Sequence, residues 1–262
     1  MIQRLTSMVI WSGITGLILI WYPWLFLSSR LERDPSRYQT GRRFRQLGKW
    51  ISKVNPNWHV HTEGWQSIDP RHPYVMVSNH LSNADIPVIS NLPWEMKWVA
   101  KRELFKLPFV GAMMQWAGDI SVERGSSRAQ MRSFRQMVEA LNRNVSVIFF
   151  PEGTRSVDGR MRPFNRGAFD LAIRQNVPVL PMVISGTEGC LPKNTWMFEP
   201  DVHVQLRVLD PVPTDGYRRE QADELMQVVR NRMADALMEI RNASREEVDS
   251  VDPSRNRGDH PE

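Results

Sequence analysis

The sequence predicts an α/β fold: a single domain with a largely parallel sheet flanked by helices, preceded by an N-terminal hydrophobic membrane anchor. Three observations carry this. Short apolar runs alternate with stretches of helical periodicity through the middle of the chain, the order that builds a layered fold with parallel strands. Twenty consecutive residues, Met8 to Leu27, carry no charge; as a helix they reach ~30 Å, about the hydrocarbon thickness of a bilayer. Cys190 is the single cysteine, so an internal disulfide and a Cys-rich zinc site are excluded and a reducing compartment fits.

The N-terminal segment reads as a retained anchor. Arg4 is the only charge before the apolar stretch, and Leu27-Ser28-Ser29-Arg30 is a poor cleavage site for a removed signal peptide. Gly13, Gly16 and Pro23 leave two forms open, one spanning helix or two half-helices dipping into one leaflet. From Ser28 to Lys53 eight cations (Arg30, Arg33, Arg37, Arg42, Arg43, Arg45, Lys49, Lys53) face two anions, Glu32 and Asp34; the segment nets +6 where the whole chain nets +5. The basicity is therefore local. It predicts a cytoplasmic-side segment drawn to anionic headgroups, with Trp11, Trp21, Tyr22 and Trp24 at the interface. No nucleic-acid motif accompanies it. The expected organisation is an anchor and basic juxtamembrane segment over 1–53, a catalytic domain over 54–243 and a disordered polar tail over 244–262.

Within the domain, strands are expected at Tyr74–Ser78, Met96–Ala100, Asp119–Val122, Val145–Phe150, Val179–Ile184 and Val202–Val208. Helices are expected at Leu104–Trp116, Ser127–Asn142, Gly167–Gln175 and Arg218–Ile240. In the second of these, Met131, Phe134, Met137, Val138 and Leu141 recur at three and four, marking one buried face. Sites in such sheets gather beyond the strand ends, where His80 and Glu152 both fall.

Two constellations carry chemistry. Asn79-His80-Leu81-Ser82-Asn83-Ala84-Asp85 leaves a strand and enters a helix. Residues five apart do not face each other on a continuous helix, but His80 in the turn can meet Asp85 in the first helical turn. The carboxylate would then orient one ring nitrogen and leave the other to take a proton; Ser82 or Asn83 would cap the helix. A surface histidine near a helix-start aspartate also fits this motif alone. The second constellation, Pro151-Glu152-Gly153-Thr154-Arg155-Ser156, turns sharply out of a buried strand. Gly153 permits positive φ, Arg155 offers a planar donor fork for phosphate, and Thr154 and Ser156 add hydroxyls.

With Gly118-Asp119-Ile120-Ser121-Val122-Glu123-Arg124 and Val177-Pro178-Val179-Leu180-Pro181, these motifs stand in the order of the four blocks of glycerophospholipid acyltransferases. From about Tyr74 to Ile184 the chain resembles bacterial 1-acyl-sn-glycerol-3-phosphate (lysophosphatidate) acyltransferases. The resemblance implies His80 as general base and Asp85 as its orienter. It places Glu152, Gly153, Thr154 and Arg155 in the acceptor-binding block, with Arg155 a phosphate ligand, and matches Lys101 and Arg124 to positions that hold the anionic acceptor. The chain departs from the family pattern at Asn83, where many members carry a large aromatic, and at Asn165, where Lys is common.

The implied reaction moves a fatty acyl group from acyl-CoA or acyl-carrier protein, a co-substrate thioester, to the free hydroxyl of 1-acyl-glycerol-3-phosphate, forming phosphatidate. No cofactor is expected. The implied partners are a lysophospholipid acceptor, the thioester donor and the bilayer, at the cytoplasmic face of a bacterial inner membrane. Chemically, a neutral His80 would activate the hydroxyl, and amides near Gly153 would hold the oxyanion. Cys190 would be packing. His59, His61, His72, His203 and His260 lack a ligand pattern, so no metal site is expected. The alternatives are an acyltransferase for a different lysophospholipid or an amino-acid lipid and, without a Gly-x-Ser-x-Gly elbow, less readily a lipid hydrolase. A non-catalytic membrane adaptor is disfavoured by His80, Asp85, Glu152 and Arg155 occurring together.

Overall fold

The computed structural model describes residues 2–123, 125–192 and 195–251. In chain order the elements are α1 (Ile2–Leu31), α2 (Tyr38–Val54), β1 (Trp58–Glu63), β2 (Val75–Ser78), α3 (Asp85–Ile89), β3 (Met96–Lys101), α4 (Val110–Ala117), β4 (Ile120–Val122) and α5 (Ser127–Asn142). There follow β5 (Ser146–Phe149), α6 (Gly167–Gln175), β6 (Val179–Ser185), α7 (Thr187–Cys190), β7 (Val202–Val208), α8 (Ala222–Arg241) and α9 (Arg245–Val248). Among the described residues the strands form one seven-stranded sheet in the order β1-β7-β6-β2-β5-β3-β4. β6, β2, β5, β3 and β4 are parallel; β7 runs antiparallel to β6 and parallel to β1.

The central strands are apolar on both faces because both are covered. Val75, Val77, Val147, Val179 and Val183 point towards α5, α6 and α8, while Met76, Ile148, Leu180, Met182 and Ile184 point to the side that also holds Ile10 and Ile14 of α1 and Val88 of α3. Successive side chains alternate between these two cores, as the strand repeat requires.

The N-terminal region differs from a free anchor. α1 runs unbroken through Gly13, Gly16 and Pro23, and Ser7, Ile10, Ile14, Leu25, Ser28 and Ser29 on one side of it are buried by the domain. Thirty residues reach about 45 Å, and contacts occur near both ends. Ser7 Oγ accepts from Phe198 N at 3.0 Å, Trp11 Nε1 donates to Trp196 O at 2.8 Å, and Tyr22 and Phe26 pack on Trp116. The opposite side exposes Leu5, Met8, Val9, Ile20, Leu27 and others.

The basic segment folds as α2, whose inward face combines apolar Phe44, Leu47, Ile51 and Val54 with the buried small or polar Thr40, Gly41, Arg45 and Ser52. A Cβ added at Gly48 would come within 2.7 Å of Ser90 Cβ, so glycine there permits close approach to the domain. Arg45, expected among the headgroup-facing cations, is instead 3% exposed; its Nη2 donates to Asp119 Oδ1 at 2.6 Å and Glu95 lies 3.6 Å away.

Three other expectations change. Leu104–Trp116 is not one helix: a 3₁₀ turn over Arg102–Lys106 precedes α4, because Pro108 lacks an amide and drives Leu107 into the extended region. Met131 is exposed rather than part of the buried face of α5. The expected tail is ordered over 244–251: Ser244 and Glu247 form a capping box at α9, Val248 is buried, and Asp249 pairs with Arg230. Residues 252–262 lie outside the described part.

Candidate active site

The five parallel strands end on one edge of the sheet, and the loops that follow carry the chemistry. His80 sits two residues beyond β2, Lys101 ends β3, Pro151–Ser156 follow β5 and Thr187 follows β6. Arg124, beyond β4, lies outside the described residues.

His80 and Asp85 meet. Nδ1 is 2.7 Å from Asp85 Oδ2, with the imidazole 15% exposed and the carboxylate fully buried. The same oxygen accepts the amides of Leu81 at 2.8 Å and Ser82 at 3.0 Å, and Oδ1 accepts the Thr187 hydroxyl. The motif works because the chain between the two residues curls around the carboxylate, which takes the loop's orphan donors. Asn83 and Ser82 do not cap α3: its N-cap is Ala84, without a side-chain bond, and Ser82 Oγ only accepts from Ala84 N. A carboxylate that only accepts makes Nδ1 the donor and leaves Nε2 as the ring's lone-pair nitrogen. Asn79 fastens the preceding turn to β6, accepting from Ile184 N at 2.8 Å and donating to its carbonyl at 2.9 Å. The His80 ring stacks on Phe150, centroids 3.9 Å apart. Thr187 and Phe150 are site residues that sequence reading missed; Thr187 lies 102 positions from Asp85.

Glu152 is brought to His80 but is not open to a ligand. It is 6% exposed. Oε1 accepts His80 N at 2.8 Å and Oε2 accepts Arg162 N at 3.0 Å. Burial pushes its carboxyl up to about 7 against the lowering effect of those two amides. With both oxygens accepting backbone amides, Glu152 braces one functional loop against the other. Ser156 N adds a second tie, to His80 O at 2.8 Å.

The rest of the loop is also fastened from behind. Asn165 donates through both its amide and its side chain to Pro151 O at 2.8 Å, which explains an asparagine at this position. Arg230 donates to Arg162 O at 2.5 Å and Met161 O at 3.0 Å, and pairs with Asp249. Gly153 takes φ +70° and its amide is committed to Phe150 O at 3.0 Å, so it is not an available oxyanion donor. Arg155 is half-buried, and Thr154 and Lys101 are exposed; the charged groups of Arg155 and Lys101 have no hydrogen bond or ion pair among the described residues. Cys190 is buried and its thiol is pushed up to about 12 by burial and by Asp85, which fits packing and not nucleophilic attack.

Beside the His80 turn, an apolar cavity of about 230 Å³ lies between α1, α2 and α3. Asn83 and Ala84 line it at the site end, with Trp11, Ile14, Leu47 and Phe198 among the other walls. His80 itself is not among its lining residues.

Residues 59–185 match the model of the family described as Acyltransferase. The chain is 30% identical over 234 residues to a chloroplastic 1-acyl-sn-glycerol-3-phosphate acyltransferase of Brassica napus, covering 86% of this chain but 64% of that protein, less than two thirds of its length. The crystal structure of the 1-acyl-sn-glycerophosphate (LPA) acyltransferase PlsC from Thermotoga maritima superposes with a TM-score of 0.78 at 29% identity, over 92% of this chain and 97% of that one. A 1-acyl-sn-glycerol-3-phosphate acyltransferase of Limnanthes douglasii is 30% identical over 227 residues, 86% of this chain and 75% of its own length. Sharing its fold with the Thermotoga enzyme and its sequence with most of the Limnanthes one, the chain belongs to the 1-acyl-sn-glycerol-3-phosphate acyltransferase family.

Proposed function

We propose that this chain is a membrane-bound O-acyltransferase that moves a fatty acyl group from a thioester donor to the free hydroxyl of 1-acyl-glycerol-3-phosphate, forming phosphatidate. The observation that carries it is the His80–Asp85 pair, 2.7 Å apart, at the strand-end edge that also carries Lys101 and Arg155, two cations unpaired among the described residues. His80 Nε2 takes the acceptor's hydroxyl proton as its oxygen attacks the thioester carbonyl. Asp85 holds Nδ1–H and offsets the positive charge that forms on the ring. Collapse of the tetrahedral intermediate expels the thiolate of coenzyme A or acyl-carrier protein, which recovers the proton from Nε2.

Arg155 and Lys101 bind the acceptor's phosphate; Arg124, outside the described residues, is the third cation the family pattern assigns to it. The amides of Thr154 and Arg155, which follow the committed Gly153 amide, face the oxyanion. The apolar cavity beside Asn83 takes an acyl chain. No cofactor enters this scheme. The exposed side of α1 lies in one leaflet on the cytoplasmic side, because a helix attached to the domain near both ends cannot cross the bilayer without it.

Thiol release from acyl-CoA, read in detergent with a panel of lysolipids and product mass spectrometry, tests this. Release that depends on 1-acyl-glycerol-3-phosphate and yields phosphatidate supports it. Release without lysolipid would make the protein a hydrolase, and preference for another lysolipid would reassign the acceptor.

A further inference from the structure

The outward face of β1 and β7 is a polar ladder built by their parallel register, with His59 opposite His203, His61 opposite Gln205 and Glu63 opposite Arg207. The last rungs satisfy themselves: Glu63 accepts from Gln205 at 3.2 Å and Arg207 at 2.5 Å. The first rung does not. Two basic side chains stand side by side, rings stacked with centroids 4.8 Å apart, where complementary pairs are the stabilising choice.

Both rings end at one carboxylate. Asp201 Oδ1 lies 3.1 Å from His59 Nε2 and 3.9 Å from His203 Nδ1. Asp201 holds φ +57°, an unfavourable region for a side-chain-bearing residue that clusters at functional positions, though Asp tolerates it better than most. The three ligand atoms all lie within 4.8 Å of one another. Bonds of ~2.0–2.1 Å in tetrahedral geometry place ligand atoms about 3.3 Å apart, a closure that small rotations of exposed side chains supply.

We propose that His59, Asp201 and His203 form a surface site for a divalent transition-metal ion of the zinc class, stapling strand β1 to its neighbour β7. Each imidazole gives a nitrogen, Asp201 gives an oxygen, and water completes the shell. This donor set favours borderline ions such as Zn²⁺ or Co²⁺ over Mg²⁺, which demands oxygen ligands. The site lies at the same strand-end edge of the sheet as His80, on β7 and β1, which stand two and three strands from β2, and its three ligands take no part in the acyltransferase reading.

The test is titration of the chelator-treated full chain in detergent with Zn²⁺, Co²⁺ and Mg²⁺, followed by calorimetry, thermal unfolding and, for Co²⁺, visible absorption. One equivalent of Zn²⁺ or Co²⁺ should bind, raise Tm and, for Co²⁺, give the bands of a tetrahedral site; Mg²⁺ should do none of this. His59→Gln with His203→Gln should lose that equivalent and the rise in Tm while unfolding normally without metal. Asp201→Asn should weaken binding by at least about tenfold, the loss typical even of outer-shell partners. Absence of stoichiometric binding, or an undiminished equivalent in the double variant, overturns the proposal.

Discussion

Glu152 Oε1 accepts the backbone N–H of His80 at 2.8 Å, so the loop after β5 fixes the position of the residue after β2. The carboxylate therefore acts on the site through backbone geometry. Gln keeps an acceptor for one of the two amides, whereas Ala removes both. Glu152→Ala should lower turnover more than Glu152→Gln, as steady-state kinetics on the same lipid panel will show.

The same carboxyl gives a pH signature. Its folded value of about 7 stands above the ordinary 4.5. Below 4.5 folded and unfolded chains both hold the proton; between 4.5 and about 7 only the folded chain does, so stability falls as pH rises, then levels off. The full loss is on the order of 3 kcal/mol. Urea unfolding at pH 5 and pH 8 should show the wild type losing more stability than Glu152→Gln across that interval; equal losses would remove the assigned burial effect.

His80→Ala should abolish transfer by roughly 10²–10⁴-fold or more with little change in Tm, since the imidazole sits in a turn and not in either core. Asp85→Asn should lose activity too, because an amide permits the wrong ring tautomer. It should also lower Tm, since the buried Asp85 carboxylate accepts two loop amides and the Thr187 hydroxyl. Purified His80→Ala with near-normal turnover would exclude the base role.

Arg155→Lys keeps the charge but loses the fork that matches phosphate. Acceptor KM should rise while donor KM holds. If Arg155→Ala leaves acceptor saturation unchanged, the phosphate contact belongs to other residues.

Arg230 and Asp249 are 3% and 1% exposed. Removing one member of such a pair leaves an uncompensated buried charge and costs about 3–5 kcal/mol. Asp249→Ala should therefore shift the denaturation midpoint strongly, as should truncation after residue 243. Arg45→Gln belongs with these. Lys49→Gln and Lys53→Gln, at exposed positions, should leave Tm alone and weaken flotation with anionic liposomes by about 1 kcal/mol each, an effect that salt erases.

Periodicity located one strand and two helices closely: Val202–Val208, Ser127–Asn142 and Gly167–Gln175 match the structure at both ends. It missed α2, where Phe44, Leu47, Ile51 and Val54 recur at helical spacing among cations and among the buried Thr40, Gly41, Arg45 and Ser52, residues that spell a charged linker until Glu95 and Asp119 are seen behind Arg45. The nearness of His80 and Asp85 was legible because five residues of chain fix it. Thr187, Arg230 and the His59–His203 pair were not, since only sheet order and register bring such distant positions together. Glu152 was found but its contacts were not: a motif places a carboxylate and does not reveal that each oxygen accepts a backbone amide.

The attachment of α1 along one side has a practical corollary for anyone exchanging its parts. A foreign hydrophobic helix of equal length would still deliver the protein to lipid. It would not reproduce Ser7, Ile10, Ile14 and Leu25, and it would leave Trp58 and Phe198, which α1 helps to enclose, facing solvent or acyl chains. Grafts chosen by hydropathy should thus yield membrane-located but unstable protein, whereas grafts retaining those four inward positions on an otherwise altered helix should stay intact. α1 is as much a wall of the domain as its mooring.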